Sequence, residues 1–187
     1  GYEGTANQNK AGDPDAKQDR VRNGICSGNE IWNISSAKNP TYRSERSAGG
    51  IYVDGGYHIV IEKNKIDKCD IGIEASSEHK GCSAEKITIR NDLVANCKGY
   101  AGISFGGADA SENGEARGIA IVNNTLYNNQ PNINIANADS STNIVVNNIC
   151  YRGSYLNGTI GKNNVSGNYT KNPQFVNTTT WDFHLKP

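Results

Sequence analysis

The chain carries no net charge, its 19 basic and 19 acidic residues balancing over 187 positions. A broad basic field of the kind that holds nucleic acid is therefore absent. No apolar stretch approaches the roughly 18 residues that a membrane-spanning helix needs. Nothing at the start reads as a leader. Gly1 opens a polar segment, so an export signal has been removed or was never included. The cysteines, Cys26, Cys69, Cys82, Cys97 and Cys150, form no CxxC pair, and their spacing matches no zinc pattern. Gly106-Gly107 is followed by no Gly-Lys-Ser/Thr, which excludes a phosphate loop. Helical periodicity is missing, as are the evenly spaced hairpins of a propeller and the two-residue turns of a sandwich. The mean hydropathy of -0.65 is polar for a globular protein. Dense short apolar runs nevertheless argue against disorder.

Those runs recur in two kinds. The first is a short strand with a small residue near its start: Gly50-Ile51-Tyr52-Val53-Asp54, Ile71-Gly72-Ile73-Glu74-Ala75, Gly102-Ile103-Ser104-Phe105-Gly106 and the weaker Ile133-Asn134-Ile135-Ala136. The second is longer and ends in an Asn-rich corner, as in Ile59 to Ile66, Ile87 to Val94, Ile119 to Leu126, Val145 to Cys150 and the worn Lys162 to Val165, with an early copy at Cys26 to Ile31. Within each run the residues alternate, which is the period of a strand with one buried face. The copies return about every 22 to 32 residues, a spacing that suits solenoid coils whose stacking creates the core. The expected fold is all-β, a right-handed parallel β-helix of about five or six irregular coils. It forms one domain over residues 1–187, incomplete at one or both ends. Residues 1–20 read as a polar N-terminal segment, and residues 36–49 and 106–118 as surface inserts. A further polar insert runs from Ser76 to Ala84.

The 26 asparagines fit the same picture. Asn is poor inside strands but good at corners, where it tolerates left-handed φ and bonds nearby backbone. Asn64, Asp92, Asn124 and Asn148 recur at one corner, and stacking would align them in a hydrogen-bonded ladder. The cysteines read mainly as small buried hydrophobes. Cys69 and Cys97 fall in one repeat column, where coils about 4.8 Å apart bring two Cα atoms near disulfide range. A stacked thiol pair and a vertical disulfide both remain open at this level.

Alternation also separates core from surface. In Ile51-Tyr52-Val53-Asp54 the aliphatic residues point inward, so Tyr52 and Asp54 point out, and the same logic exposes Glu74. With one alignment Asp54 and Glu74 are direct neighbours, their carboxylates roughly 5 Å apart, as in a retaining glycosidase. Like charges that close split two pKa values into an acid and a nucleophile. Aligning Gly50, Gly72 and Gly102 instead sets Glu74 beside Tyr52 and Ser76 beside Asp54. Asp54, Glu74 and Glu78 are the catalytic candidates. Tyr52, as a sugar platform, joins His79, Lys63, Arg90 and Ser104 as candidates for substrate binding. A lyase reading would use Lys63, Lys80 or Arg90 as base beside a calcium ion, for which Asp54, Glu74, Glu78, Asp70 and Asp92 are possible oxygen donors.

The segment from Gly49 to about Asn129 resembles the β-helix repeat proteins of the pectate-lyase-like superfamily. The closing stretch Asn172-Pro173-Gln174-Phe175-Val176-Asn177, followed by Asp182 to Pro187, is similar to the last segment of many secreted bacterial β-helix proteins. The strands Gly50-Ile51-Tyr52-Val53-Asp54 and Ile71-Gly72-Ile73-Glu74 further resemble those of a β-helix β-xylosidase family. That likeness implies Asp54 as nucleophile and Glu74 as acid/base, although Gly55 and Gly72 stand where the family carries aromatics. Together these readings lead to three expected classes. The first is a secreted or cell-surface, polysaccharide-directed hydrolase that needs no cofactor. The second is a calcium-assisted lyase or uronate epimerase. The third is a non-catalytic carbohydrate-binding module. The expected partner is a polysaccharide or oligosaccharide, with no nucleic acid and no membrane, and with a further domain or chain completing the helix.

Overall fold

A computed structural model describes residues 20–138 and 142–187, so all but Arg20 of the N-terminal polar segment lies outside the described residues. Three parallel sheets run the length of a solenoid. The first stacks Ile25–Ser27, Val60–Glu62, Thr88–Arg90, Ala120–Val122, Ile144–Val146 and Asn164–Ser166. The second stacks Glu30–Trp32, Lys65–Asp67, Leu93–Ala95, Thr125–Tyr127 and Ile149–Tyr151. The third stacks Gly49–Asp54, Ile71–Ser76, Ala101–Phe105, Ile133–Ile135 and Leu156–Gly158. The chain visits first, second and third sheet in turn, which makes five coils and the opening strand of a sixth. This is the expected parallel β-helix.

Like residues stack on like along the axis. Ile61, Ile89, Ile121 and Val145 form one fully buried column, Ile66, Val94 and Leu126 a second, and Ile73, Ile103 and Ile133 a third. Each such aliphatic side chain removed from water contributes about 1.5–3 kcal/mol. No coil can bury its own apolar edge alone, so this core exists only through stacking.

The corner between the first and second sheets explains the asparagines in two ways. Its first residue is left-handed in every coil: Gly28, Lys63, Asn91, Asn123, Asn147 and Gly167 all have φ between 56° and 71°. The next residue points inward and builds the expected ladder. Asn124 Nδ2 donates to Asn148 Oδ1 at 3.0 Å and to the Ile89 carbonyl at 3.0 Å, while the Asn124 N–H reaches the same Asn148 Oδ1 at 2.9 Å. Asn29, Asn64 and Asn168 extend the ladder in both directions. Asp92 occupies one rung. Its Oδ1 accepts from the N–H and Nδ2 of Asn64, and its Oδ2 is buried with no hydrogen-bond partner among the described residues.

The third sheet has its own register device. Gly50, Gly72 and Gly102 form a column at the start of its strands, because Ile51 pairs with Ile73 and Ile73 with Ile103. A Cβ on Gly50 would sit 2.8 Å from the Gly72 carbonyl, and one on Gly102 would sit 2.7 Å from the Asn132 carbonyl. Only glycine permits that approach, so the glycines lock the alignment of the outward residues beyond them. Inserts follow these strands. Ser83–Glu85 and Glu115–Arg117 close the inserts after the second and third coils as a two-stranded parallel sheet. At the far end Phe175–Asn177 pairs antiparallel with Asp182–Leu185, and Phe175 and Phe183 pack edge-on against Tyr127.

Candidate functional site

With that register, the outer face of the third sheet carries two rows. Tyr52, Glu74, Ser104, Asn134 and Asn157 stand side by side on successive coils, and Asp54 stands beside Ser76. Direct opposition of Asp54 and Glu74 is thereby corrected. They are diagonal neighbours, one coil and two residues apart, because the glycine column aligns the strands. The spacings of a parallel sheet put their Cα atoms roughly 8 Å apart.

The insert after Ile71–Ser76 brings the third carboxylate. The Glu78 N–H donates to Asp54 Oδ1 at 3.0 Å, and the Tyr52 hydroxyl donates to Glu78 Oε1 at 2.8 Å. Asn113, from the next insert, donates to the Glu78 carbonyl at 3.1 Å, and the Gly114 N–H to the Ser77 carbonyl at 3.1 Å. Two successive inserts are thus laced together at the edge of the acidic cluster. Tyr52 is 40% exposed and offers an open aromatic face beside the acids.

The electrostatics single out Glu74. Its carboxyl is half-buried and takes no hydrogen bond or ion pair among the described residues. Burial, and then the charges of Glu78 and Asp54, push its pKa up to about 7. A carboxylic acid in that setting holds its proton near neutrality and can donate it. Tyr52 is pushed far above the ordinary phenol range by burial, by its bond to Glu78 and by the three carboxylates, so it stays a donor.

The other candidates separate. Ser104 is beside Glu74 and buried, and its hydroxyl accepts from Asn134 Nδ2 at 3.1 Å. Asn157 donates in turn to Asn134 Oδ1 at 2.8 Å, so a polar ladder continues the row away from Glu74. His79 is exposed in the same insert as Glu78, and its carbonyl closes the loop by accepting from the Cys82 N–H at 3.0 Å. Lys63 and Arg90 are not brought to the acids. Lys63 occupies the left-handed corner after the first sheet, and Arg90 belongs to that sheet, where its Nη2 pairs with Glu62 at 2.8 Å. Lys80 stays in the insert, near enough to Asp109 to act on its charge. Of the suggested calcium donors, Asp70 is committed elsewhere, accepting from Ser35 and the Ser36 N–H at 2.8 Å each to anchor the segment before Gly49. Among the described residues no group of three or more His, Cys, Asp or Glu converges as a metal site.

The glycine alignment had already set Ser76 beside Asp54, but sequence reasoning missed Asn113, Asn134 and Asn157. The outward parity of its strand was a usable signal for Asn134. None existed for Asn113, whose position depends on how an irregular insert folds.

No protein-family model matches the chain, and no solved structure matches it. The chain is similar to "Uncharacterized protein YwoF" of Bacillus subtilis (strain 168), at 42% identity over 129 residues, or 69% of the chain. The match spans 25% of that relative's length. Its name states no activity.

Proposed function

We propose that the protein is a secreted or cell-surface, polysaccharide-directed β-helix of the pectate-lyase-like superfamily, and that it hydrolyses glycosidic bonds with Glu74 as general acid. The observation that carries this reading is the Glu74 carboxyl, unpaired among the described residues and held near neutrality beside two further carboxylates and an exposed tyrosine. Glu74 would give its proton to the glycosidic oxygen while Tyr52 supports the sugar ring. Asp54, oriented by the Glu78 N–H, is the carboxylate that faces the anomeric carbon.

The diagonal register bears on stereochemistry. Retaining enzymes hold their two carboxyls about 5–5.5 Å apart, and inverting ones roughly 6.5–9.5 Å apart, which leaves room for a water. The offset of Asp54 from Glu74 favours the second arrangement, with Asp54 activating the water rather than attacking directly. A lyase has less support, because Lys63 and Arg90 lie on another face of the solenoid.

The test is digestion of a panel of plant and bacterial polysaccharides by the full chain, with proton NMR of the first anomer released. The expected product has inverted configuration, and Asp54→Asn abolishes its formation. A retained product would restore the direct-attack role of Asp54. Binding without turnover by the wild-type chain on every glycan would replace the hydrolase with a binding module.

A further inference from the structure

The corner after the second sheet holds two cysteines directly above one another. Asp67 pairs with Ala95 across adjacent coils, the next residues, Lys68 and Asn96, are both left-handed with φ of 54° and 58°, and the chain then turns inward at Cys69 and Cys97. Both thiols lie in the main core cluster. They fill the space that the glycine column leaves open: a Cβ on Gly50 would stand 3.2 Å from Cys69 Sγ, and one on Gly72 would stand 3.3 Å from Cys97 Sγ. Each thiol donates to the carbonyl two residues before it, Cys69 to Asp67 at 3.7 Å and Cys97 to Ala95 at 3.5 Å. Cys26 stacks on Ile61 and Cys150 on Leu126, so neither has a cysteine as its strand neighbour.

We propose that Cys69 and Cys97 are a redox pair that closes to a disulfide across adjacent coils when the protein meets an oxidised small thiol or a dithiol–disulfide oxidase. Coil stacking near 4.8 Å lies within the roughly 4.4–6.8 Å between Cα atoms that a disulfide requires. The bond would tie the coil that carries Glu74 to the coil that carries Ser104, behind the glycine corner that sets their register.

The exchange takes two steps. One of the two cysteines attacks the oxidant's disulfide as a thiolate, forming a mixed disulfide and releasing one thiol. The other then loses its proton and attacks the sulfur of the first, and the second half of the oxidant leaves as a thiol. Two cysteine thiols are oxidised and one external disulfide is reduced. Burial directs the reaction to the folding chain, before the coils close.

The experiment is refolding of the full chain in a mixture of oxidised and reduced glutathione, then alkylation, digestion without reductant and mass spectrometry. The expected product is one cross-linked peptide pair containing Cys69 and Cys97, two hydrogens lighter than its parts, with Cys26, Cys82 and Cys150 alkylated. The oxidised wild-type chain should melt several degrees above the same chain in dithiothreitol, a comparison that requires no variant to fold. Cys97→Ala should remove the difference. Recovery of Cys69 and Cys97 as alkylated thiols, or joined to other cysteines, would overturn the proposal.

Discussion

The backbone N–H of Glu78 reaches the Asp54 carboxylate at 3.0 Å, so the first turn of an insert fixes an acid on the coil before it. The Glu78 side chain then holds the Tyr52 hydroxyl at 2.8 Å. Tyr52→Phe keeps the aromatic face and removes that bond, worth about 1 kcal/mol net, so a loss of about fivefold in kcat/KM is expected. Tyr52→Ala removes the platform as well and should cost clearly more. Steady-state kinetics on the hydrolysed glycan measure both.

Glu74 sets the pH dependence. Its carboxyl is raised to about 7, first by burial and then by Glu78 and Asp54, and the acid works only when protonated. Activity should therefore fall as pH rises through about 7. Glu78→Gln removes one of the two negative charges, so the alkaline limb should move to lower pH. A pH–rate profile of the two proteins checks the direction. The same shift bears on stability. A folded-state pKa above the unfolded value gives stability that is lost as pH rises through the folded pKa. Glu74→Gln should accordingly melt higher than the wild type above pH 7 while losing activity.

Asp92 provides a second pH test, away from the site. On the asparagine rungs the Nδ2 group donates to a carbonyl of the preceding coil, Ile89 for Asn124 and Ile121 for Asn148. Asp92 presents an oxygen there instead, and burial raises its pKa from 3.8 to about 6 despite the bonds from Asn64. The protonated acid is the better rung. Its advantage is complete below the unfolded pKa and disappears between about pH 4 and 6, a change of about 3 kcal/mol. Asp92→Asn should therefore raise the denaturation midpoint at pH 7 and flatten its dependence on pH. Chemical denaturation at several pH values reads the difference.

Asn124 is the complementary case. Its side chain accepts from the Asp92 N–H at 3.0 Å and donates to Asn148 and to the Ile89 carbonyl. Asn124→Ala leaves buried backbone groups without partners and should cost about 1–3 kcal/mol for each group so exposed. Equilibrium unfolding measures it.

The fold was legible because solenoid physics repeats. Alternating Ile and Val mark inward faces, and the column Asn64, Asp92, Asn124 and Asn148 marks a corner whose ladder the structure contains. The outward placing of Tyr52, Asp54 and Glu74 followed from the same parity, and Glu78 joined them from its place in the first residues of the insert that follows. The pairing of Asp54 with Glu74 did not, because two alignments satisfy the alternation and only the close approach at Gly50 and Gly72 selects one. Lys63 and Arg90 illustrate a second gap. Within a coil, a few residues and one left-handed corner move a side chain to another sheet, and distance along the chain does not show which way it faces. The anchoring of the segment before Gly49 by Asp70 also escaped, since a buried carboxylate bonded to Ser35 and Ser36 leaves no periodic trace.

The most direct test compares wild-type and Glu74→Gln chains for reducing-end release from the polysaccharide panel at pH 6. The variant keeps the shape of the site and cannot donate the proton. Release by the wild type, reduced at least a hundredfold in the variant as expected for loss of a general acid, is the predicted result. Equal release by both proteins would contradict the assignment of Glu74 as the acid.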